Sequence, residues 1–248
     1  MNTSQQQTPQ SLEVNYGDGS QHQLKMTKLS VAVTGASRGI GLEIARSLKD
    51  ISSNLSLVAS SEESFKSVRG EFGKDTQFYG ADFSSVDAVA ELAATLRGQH
   101  PQLDVLVNNC GVYSKAPFAT LELPDIKKIL DVNVTAAVAL TRLLLDQLKA
   151  GSNAMIINIS SIQASAPSEE HAVYAASKAA LTIFSQGLRA ELNPLGIRVT
   201  VLEPSGVNTW EDPNPAGLLT PTEVGQLVRT IVLQNPHCQI DEIRLSAI

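Results

Sequence analysis

The chain has 248 residues, a formal net charge of −6 at pH 7 and 43% hydrophobic residues. This length can bury one substantial core, and the acidic balance argues against nucleic acid or an anionic membrane as the partner. Cys110 and Cys238 are far apart and the four histidines have no ligand-like spacing, which argues against disulfides or a metal site and favours a cytoplasmic protein. No secretory signal and no apolar run of membrane-spanning length is expected.

Residues 1–28 are polar and rich in Gln, Ser and Thr, which predicts a flexible N-terminal extension. A short hairpin is expected around Gly17-Asp18-Gly19. The ordered part of the chain should begin at Leu29, so that residues 29–248 form a single domain.

Strands and helices are predicted to alternate through this domain. Runs of β-branched and aliphatic residues predict strands at 29–34, 54–60, 76–80, 103–109, 154–160, 197–203 and 239–245. Amphipathic stretches predict helices that begin near Gly39, Glu62, Ser84, Pro124, Ala172 and Pro221, the last behind a capping-box pattern at Thr220 and Glu223. The pattern predicts an α/β fold, a doubly wound Rossmann-type three-layer sandwich with a seven-stranded parallel sheet.

A glycine-rich turn follows the first strand of this domain. Gly35, Gly39 and Gly41 stand in the spacing G-xxx-G-x-G where a helix is predicted to begin. Glycines allow a backbone to approach a pyrophosphate closely, and a helix N-terminus offers free N–H groups to it. The alternative is a glycine-rich turn without a ligand, which the strand–turn–helix context disfavours.

A tyrosine and a lysine lie one helical turn apart, at Tyr174 and Lys178. A loop from the preceding strand can return Ser161 to the same helix face. A neighbouring ammonium favours the phenolate, so we expect a lowered pKa for Tyr174, as a general acid or base needs. Taken alone, the pair would be an ordinary solvated helix face and Ser161 a turn residue.

These motifs resemble, in order and spacing, those of the short-chain dehydrogenase/reductase family. The matches are TGxxxGIG at 34–41, an aspartate near the adenine at Asp82, the NNAG element at 108–111, an active-site asparagine at Asn133, a catalytic serine at Ser161 and YxxxK at 174–178. They cover the chain from about residue 29 to 245. The resemblance implies an NAD(P)-dependent oxidoreductase that transfers a hydride between cofactor and substrate.

The resemblance also implies roles for individual residues. Tyr174 would protonate the developing alkoxide, and Ser161 would hydrogen-bond the same oxygen. Lys178 would hold the nicotinamide ribose, and Asn133 would anchor a water of the proton relay. As an isolated residue, Asn133 could equally be a buried hydrogen-bonding residue without a catalytic role. The expected cofactor contacts are Gly35, Ser37, Arg38, Gly39, Ile40, Gly41, Ser60, Asp82, Phe83, Asn109, Gly111, Tyr174, Lys178, Pro204, Val207 and Thr209.

The end of the second predicted strand bears on the choice of cofactor. An NAD-selective site normally has an acid there that binds the ribose 2′-OH, whereas this chain has Ser60 and Ser61 before Glu62. Arg38 lies within the glycine loop, where a guanidinium can reach a 2′-phosphate. We therefore favour NADP(H), and NAD(H) stays possible because Ser60 stands where many NADP-dependent relatives have a second arginine.

Several positions depart from the family pattern. Cys110 replaces the usual alanine of NNAG, and packing explains it better than reactivity. Ser205 replaces a glycine of the PGxVxT pattern. The Pro- and Asn-rich segment 209–219 resembles a substrate loop, in which Trp210 either caps the substrate or packs onto the core, and Tyr113 with 114–118 is expected to line the same pocket.

The sequence thus predicts an NADP(H)-dependent reductase or dehydrogenase for a small-molecule ketone or aldehyde and its alcohol. The C-terminus lacks the glycine-rich tail common in the family's acyl-carrier-protein reductases, which disfavours that role. The alternatives are a non-catalytic dinucleotide-binding sensor or scaffold, and an epimerase or dehydratase of the same family. Apolar helices near 124–149 and 172–192 match elements that pair between subunits in the family, so a homodimer or homotetramer is expected.

Overall fold

Two short antiparallel strands precede the main fold in this structure, a computed structural model that describes residues 11–15, 21–25, 28–210 and 216–248. Strand β1, Ser11–Asn15, pairs with β2, Gln21–Lys25. This pairing is the hairpin expected around Gly17-Asp18-Gly19, whose own turn residues lie outside the described ones. The flexibility predicted for residues 1–28 stays a prediction, and residues 1–10, 16–20, 26 and 27 of that extension lie outside the described ones.

Seven parallel strands form the central sheet of the described residues. They are β3 Leu29–Thr34, β4 Ser52–Ala59, β5 Thr76–Gly80, β6 Val105–Asn108, β7 Met155–Ile159, β8 Arg198–Pro204 and β9 Glu242–Leu245. Their order is β5-β4-β3-β6-β7-β8-β9, and every neighbouring pair is parallel. The predicted doubly wound sheet is confirmed, with strand ends within a few residues of those expected.

Helices cover both faces of the sheet. They are α1 Gly39–Leu48, α2 Val86–Gln99, α3 Leu123–Leu130, α4 Ala136–Leu143, α5 Leu145–Ala150, α6 Ala172–Leu192 and α7 Pro221–Val232, with a π-helical turn over Asp131–Thr135 between α3 and α4. Val31 and Val33 of β3 face a core shared with α1 and α7, whereas Ala32 faces the core shared with α2 and α4. Burial on both faces explains why these strands read as continuous apolar runs. Among the described helices, none is both long and apolar enough to cross a bilayer.

The helix predicted near Glu62 is wrong. The structure has two short 3₁₀ turns there, Glu62–Phe65 and Arg69–Glu71. The segment is rich in serine and glycine, which are weak helix formers, and buries only Phe65 and Val68, so it has no continuous apolar stripe. The capping box predicted for α7 is confirmed, because the Thr220 side chain accepts from the Glu223 N–H and the Glu223 carboxylate accepts in return.

The strand order reverses between β3 and β6, because β4 and β5 extend the sheet on one side and β7 to β9 on the other. In open parallel sheets the ligand crevice lies beyond the carboxyl ends of the strands at such a reversal. The glycine turn leaves β3 at this point and the NNCG segment leaves β6 beside it. The fold therefore brings the separate sequence motifs to one edge.

Candidate active site

The glycine turn between β3 and α1 forms a cradle that admits no side chains. Gly35 has a φ of 66°, and a Cβ placed on it would lie 2.8 Å from Nδ2 of Asn109. A Cβ on Gly41 would lie 2.2 Å from the Gly35 carbonyl oxygen. Arg38, at the N-cap of α1, makes no side-chain capping hydrogen bond. The helix start therefore keeps N–H groups available for an anionic group.

Asn109 and Thr34 join the cradle to the end of β6. Nδ2 of Asn109 donates to the carbonyl oxygens of Thr34 at 2.9 Å and of Gly35 at 3.2 Å. Oγ1 of Thr34 accepts from the backbone N–H groups of Asn109 and Cys110, each at 3.0 Å. These bonds fix the glycine backbone against the neighbouring strand, so the cradle is built before any ligand arrives.

Ser161, Tyr174 and Lys178 come together across the carboxyl end of β7. Ser161 follows β7, while Tyr174 and Lys178 lie on α6. The Ser161 hydroxyl accepts from the Gln163 N–H at 3.2 Å and lies close enough to the Tyr174 phenol to affect its pKa. Nζ of Lys178 donates to the carbonyl oxygen of Ile159 at 2.9 Å and lies 5.9 Å from the centre of the Tyr174 ring. It would also lie 3.4 Å from a Cβ on Gly111, on the cradle side of the crevice.

The pKa of Tyr174 differs in direction from the sequence-based expectation. Burial raises the pKa of the phenol above its ordinary value, the hydrogen bond with Ser161 opposes this, and Tyr113 raises it further. The predicted lowering by Lys178 is wrong for this arrangement, since its ammonium is directed to Ile159. Burial in turn lowers the pKa of Lys178 from 10.5 to about 8. The phenol is thus held protonated at neutral pH, beside a lysine that still carries its charge.

Asn133 lies in the π-helical turn and uses its whole amide within the protein. Its Nδ2 donates to the Val112 carbonyl oxygen and to the Ser177 hydroxyl, each at 3.0 Å, and its Oδ1 accepts from the Val112 N–H at 2.7 Å. Ser177 in turn donates to the Tyr174 carbonyl oxygen at 2.6 Å. Both side-chain N–H groups are therefore occupied in fixing α6 against the segment after β6.

The remaining predicted cofactor residues lie along the same edge of the sheet. Ser37 and Ile40 are half-buried within the cradle, Ser60 is exposed at the end of β4, Phe83 is buried after β5, and Pro204, Val207 and Thr209 follow along or beyond β8. The Thr209 methyl lies 3.1 Å from the Cβ position of Gly39. The Asp82 carboxylate accepts from the Ser84 N–H and hydroxyl, and these bonds lower its pKa. Residues 211–215 of the predicted loop lie outside the described residues.

Cys110 is poorly suited to act as a nucleophile. Burial raises the pKa of its thiol to about 11, although the charge of Lys178 opposes the shift. The thiol packs against the core that β3 shares with α2 and α4. Because the thiolate is the reactive form, this environment supports the packing interpretation of the substitution in NNCG.

Three residues of the candidate active site were missed or only partly predicted from the sequence. His171 and Ser177 were not predicted, and Tyr113 was expected only to line the pocket. His171 Nε2 bonds the Tyr113 hydroxyl at 2.7 Å across 58 residues of sequence. Ser177 is placed three residues after Tyr174, the spacing at which a hydroxyl reaches a helix carbonyl, and that signal was available. No sequence signal pairs Tyr113 with His171, because their contact depends on two loops meeting.

Comparison with known proteins places this site in a family. The family described as short chain dehydrogenase matches residues 30–213. The chain belongs to the short-chain dehydrogenase/reductase family. A ketoacyl reductase, HetN, of Nostoc sp. (strain PCC 7120) is 31% identical to this short-chain dehydrogenase over 234 residues, 85% of the chain and 80% of the relative.

Solved structures agree with this assignment. An alcohol dehydrogenase of the archaeon Thermococcus sibiricus, complexed with 5-hydroxy-NADP, superposes with a TM-score of 0.82 at 25% identity, over 89% of this chain and 97% of that one. A metagenomic short-chain oxidoreductase in complex with NADP superposes with a TM-score of 0.78 at 29% identity, over 90% of this chain and 100% of that one. The chain is thus a member of an oxidoreductase family with NADP complexes among its structural neighbours.

Proposed function

We propose that this short-chain dehydrogenase interconverts a small-molecule ketone or aldehyde and its alcohol, using NADP(H) and Tyr174 as general acid and base. The observation that carries the proposal is the convergence of Tyr174, Ser161 and Lys178 beside a glycine cradle at one edge of the sheet. A lone Tyr/Lys helix face would be solvated, whereas here Lys178 is buried and donates to the Ile159 carbonyl oxygen.

The cradle fits a dinucleotide. A Cβ on Gly35 or Gly41 would collide with neighbouring atoms, so the backbone there is open to close approach, and the uncapped start of α1 suits a pyrophosphate. Gly35 to Gly41 would hold the pyrophosphate, Lys178 the nicotinamide ribose, and Val207 with Thr209 the nicotinamide end. Bound there, NADPH would supply the hydride that the carbonyl carbon receives.

Charges near the end of β4 favour the phosphorylated cofactor. Arg38 is exposed at the helix start, and Ser60 and Ser61 offer hydroxyls rather than carboxylates. Glu62, the first acid after the strand, is directed to Arg69, whose Nη2 lies 3.4 Å from its carboxylate. A 2′-phosphate would therefore meet a guanidinium and two hydroxyls, with the adjacent acid partnered elsewhere.

The raised pKa of Tyr174 suits proton donation. A phenol that stays protonated at neutral pH can give its proton to the oxygen of a carbonyl under reduction, while Ser161 donates a hydrogen bond to the same oxygen. Asn133 keeps α6, and with it Tyr174, at a fixed distance from the end of β6.

The test is to incubate the purified protein with NADPH or NADH and a panel of ketones and aldehydes, following absorbance of the reduced nicotinamide. We expect turnover with NADPH preferred, and a loss of about 10²- to 10⁴-fold in kcat for Tyr174→Phe. The matched control is Tyr79→Phe, which alters a partly buried tyrosine on the edge strand β5 and should leave turnover unchanged.

Three outcomes would contradict this function. Cofactor binding without turnover across the panel would indicate a sensor or scaffold. Exchange of substrate stereochemistry without net oxidation of NADPH would indicate an epimerase. Turnover that survives Tyr174→Phe would leave an oxidoreductase whose proton donor is another group.

We also propose that the enzyme is a cytoplasmic homodimer or homotetramer. Both cysteines are free, as a reducing compartment requires. Leu130 at the end of α3 and Ile183 on α6 are exposed large apolar side chains on helices that contact each other. Light scattering of the purified protein at several concentrations tests the assembly, and a strictly monomeric mass would overturn it.

A further inference from the structure

An aromatic cluster lies beside the phenol of Tyr174. The ring centre of Tyr113 is 5.2 Å from that of Tyr174, 5.5 Å from that of His171 and 5.8 Å from that of Trp210. These separations and the tilted or edge-on ring planes are those that aromatic pairs prefer. Tyr113 is 52% exposed and Trp210 is 65% exposed, so both keep free surface next to the proposed proton donor.

Hydrogen bonds fix the orientation of Tyr113. His171 Nδ1 is 2.7 Å from the Glu169 carbonyl oxygen, to which it must donate, and so Nε2 accepts from the Tyr113 hydroxyl at 2.7 Å. The Ala116 N–H donates to the Glu170 carbonyl oxygen at 2.9 Å, which joins the same two loops a second time. Tyr113 thus gives its hydroxyl to the protein and presents a pre-oriented ring to the crevice.

The backbone beside His171 is unusual. Glu170 has a φ of 64°, in the left-handed region that residues with a side chain seldom adopt. This conformation places the Glu170 carbonyl toward Ala116 and His171 toward Tyr113. The strain is therefore located where the chain orients the ring, as is typical of ligand-binding segments.

The charged side chains of the two loops that carry Tyr113 and His171 are acidic or paired. Glu169 and Glu170 lie on one loop, and Lys115 on the other is 3.9 Å from the Glu170 carboxylate. Within 113–116 and 168–171, which the structure describes completely, Lys115 is the one lysine or arginine. An anionic carrier such as a thioester of coenzyme A or of a phosphopantetheine group would find little attraction there.

We propose that Tyr113 and Trp210 bind the aromatic ring of an uncharged aryl ketone or aryl carbinol, with the oxygen of that group directed to Tyr174. This inference rests on the proposed function and specifies its substrate class. In the reduction, the carbonyl carbon gains a hydride from NADPH and the oxygen gains a proton from Tyr174, giving the carbinol and NADP⁺. His171 is a positioning residue, because it acts through the Tyr113 ring.

The test compares two ketones of nearly equal size, acetophenone and cyclohexyl methyl ketone, which differ in whether the ring has a π face. Wild-type protein is expected to have the higher kcat/KM for acetophenone. Tyr113→Leu and Trp210→Leu should each lower that value about 2- to 12-fold, the contribution of an aromatic pair, and should lower kcat/KM for the saturated ketone by a smaller factor. Tyr113→Phe keeps the ring but loses its bond to His171, so it should lower the preference less than Tyr113→Leu does, and His171→Leu should match Tyr113→Phe if the histidine acts through this ring.

A binding measurement tests the inference independently of turnover. Trp210 is the single tryptophan of the chain, so its fluorescence reports on this site alone. Adding 1-phenylethanol, without cofactor and then with NADP⁺, is expected to change the emission, and 1-cyclohexylethanol to change it less. Tyr113→Leu should weaken the response to the aryl alcohol.

The outcomes separate the inference from the proposed function. Equal kcat/KM for the two ketones, or a higher value for a 3-ketoacyl thioester, would overturn the aryl assignment and leave the reductase intact. Absence of all carbonyl turnover would remove the proposed function. In that case, equal fluorescence responses to the two alcohols would overturn the aryl site as well, and selective binding of the aryl alcohol would support it as a binding site.

Discussion

The two ends of the sheet both contain buried polar groups, but they use them differently. Near the amino ends of β3 and β4, His100 bonds the hydroxyls of Ser30 at 2.6 Å and Ser56 at 2.7 Å. Asp104 accepts from the Ser30 N–H at 2.8 Å and from the Ser152 N–H at 2.9 Å. Both ring nitrogens and both carboxylate oxygens are satisfied by the protein itself, so these two side chains have no capacity left for a ligand.

At the carboxyl end of the sheet, the polar groups are fixed in position but retain unused hydrogen-bonding capacity. The Lys178 ammonium carries three N–H groups and has one recorded acceptor, the Ile159 carbonyl oxygen. The start of α1 has no side-chain cap, and the Ser161 hydroxyl accepts only from the Gln163 N–H among the described residues. Buried polarity therefore indicates function here because its hydrogen-bonding capacity is incompletely used, whereas at the amino end complete use indicates structure.

The largest effect should come from closing the cradle. In Gly41→Ala the new methyl would lie 2.2 Å from the Gly35 carbonyl oxygen and 2.5 Å from Asn109 Nδ2, contacts that force the backbone to move. We expect a loss of about 3 kcal/mol or more in the free energy of unfolding, together with loss of NADPH binding. Urea unfolding and a dinucleotide titration measure the two effects.

Gly98→Ala is the matched control for this substitution. Gly98 lies within α2, and a Cβ there meets no atom within 4 Å. An exposed helical glycine replaced by alanine should gain about 0.5–1 kcal/mol. Tolerance of Gly41→Ala with normal cofactor affinity would mean that the glycines are not a cradle.

The buried His100 at the amino end of the sheet should make the stability of the protein sensitive to acid. Burial lowers the pKa of His100 from 6.5 to about 4, against the opposing effect of Asp104. Between these two pH values, His100 is protonated in the unfolded chain but not in the folded chain. The free energy of unfolding therefore decreases as the pH falls. The total over the window is about 3 kcal/mol, at 1.36 kcal/mol for each pH unit.

Urea unfolding of wild-type and His100→Gln protein at several pH values checks this prediction. The variant should be less stable at neutral pH but lose less stability between pH 6.5 and about 4. Its kcat at neutral pH should match that of the wild type, because the network lies away from the crevice. Parallel slopes for the two proteins would show that folding does not lower the pKa of His100.

Lys178 should show the opposite relation between stability and activity. Its pKa is lowered to about 8, so at neutral pH the folded protein keeps a buried charge that lowers the free energy of unfolding. This destabilisation decreases only as the pH rises above about 8. Lys178→Met should raise the free energy of unfolding at neutral pH by about 2 kcal/mol, after the loss of one hydrogen bond, and abolish turnover. Denaturation at neutral pH and the NADPH assay measure both, and a strongly destabilised Lys178→Met would mean that the lysine is structural.

The sequence predicted the fold because its signals are local. Each central strand is a short apolar run between breakers, and alternation with helical segments leaves few topologies. The helix predicted after β4 was wrong for a related reason. The segment, which contains Ser61, Ser64 and Gly70, has an amphipathic pattern, but the pattern does not show how few of its side chains are buried. The positions of the motifs were equally predictable, because the carboxyl ends of parallel strands share one edge.

What the sequence could not predict is the direction of individual contacts. The spacing of Tyr174 and Lys178 places both on one helix face, but whether Nζ is directed to the phenol or to the Ile159 carbonyl depends on the tertiary structure. The pKa of Tyr174 was therefore predicted in the wrong direction. The Tyr113–His171 contact was equally hidden, because it requires two loops that are distant in sequence to meet.

The smallest effect on stability is expected at a polar pair whose hydrogen bonds are all made within the pair, although it lies at the carboxyl edge of the sheet. Oγ1 of Thr220 accepts from the Glu223 N–H at 3.3 Å, and the Glu223 carboxylate accepts from the Thr220 N–H at 2.7 Å. By the distinction drawn between the two ends, this capping box is structural, and Thr220→Ala should cost about 1 kcal/mol of stability without changing kcat/KM. Thr230→Ala, in the same helix, is the matched control and should change stability less, because its hydroxyl only returns to the Gln226 carbonyl. A fall in kcat/KM with Thr220→Ala in fully folded protein would show that saturation of hydrogen bonds does not separate structural from functional polarity here.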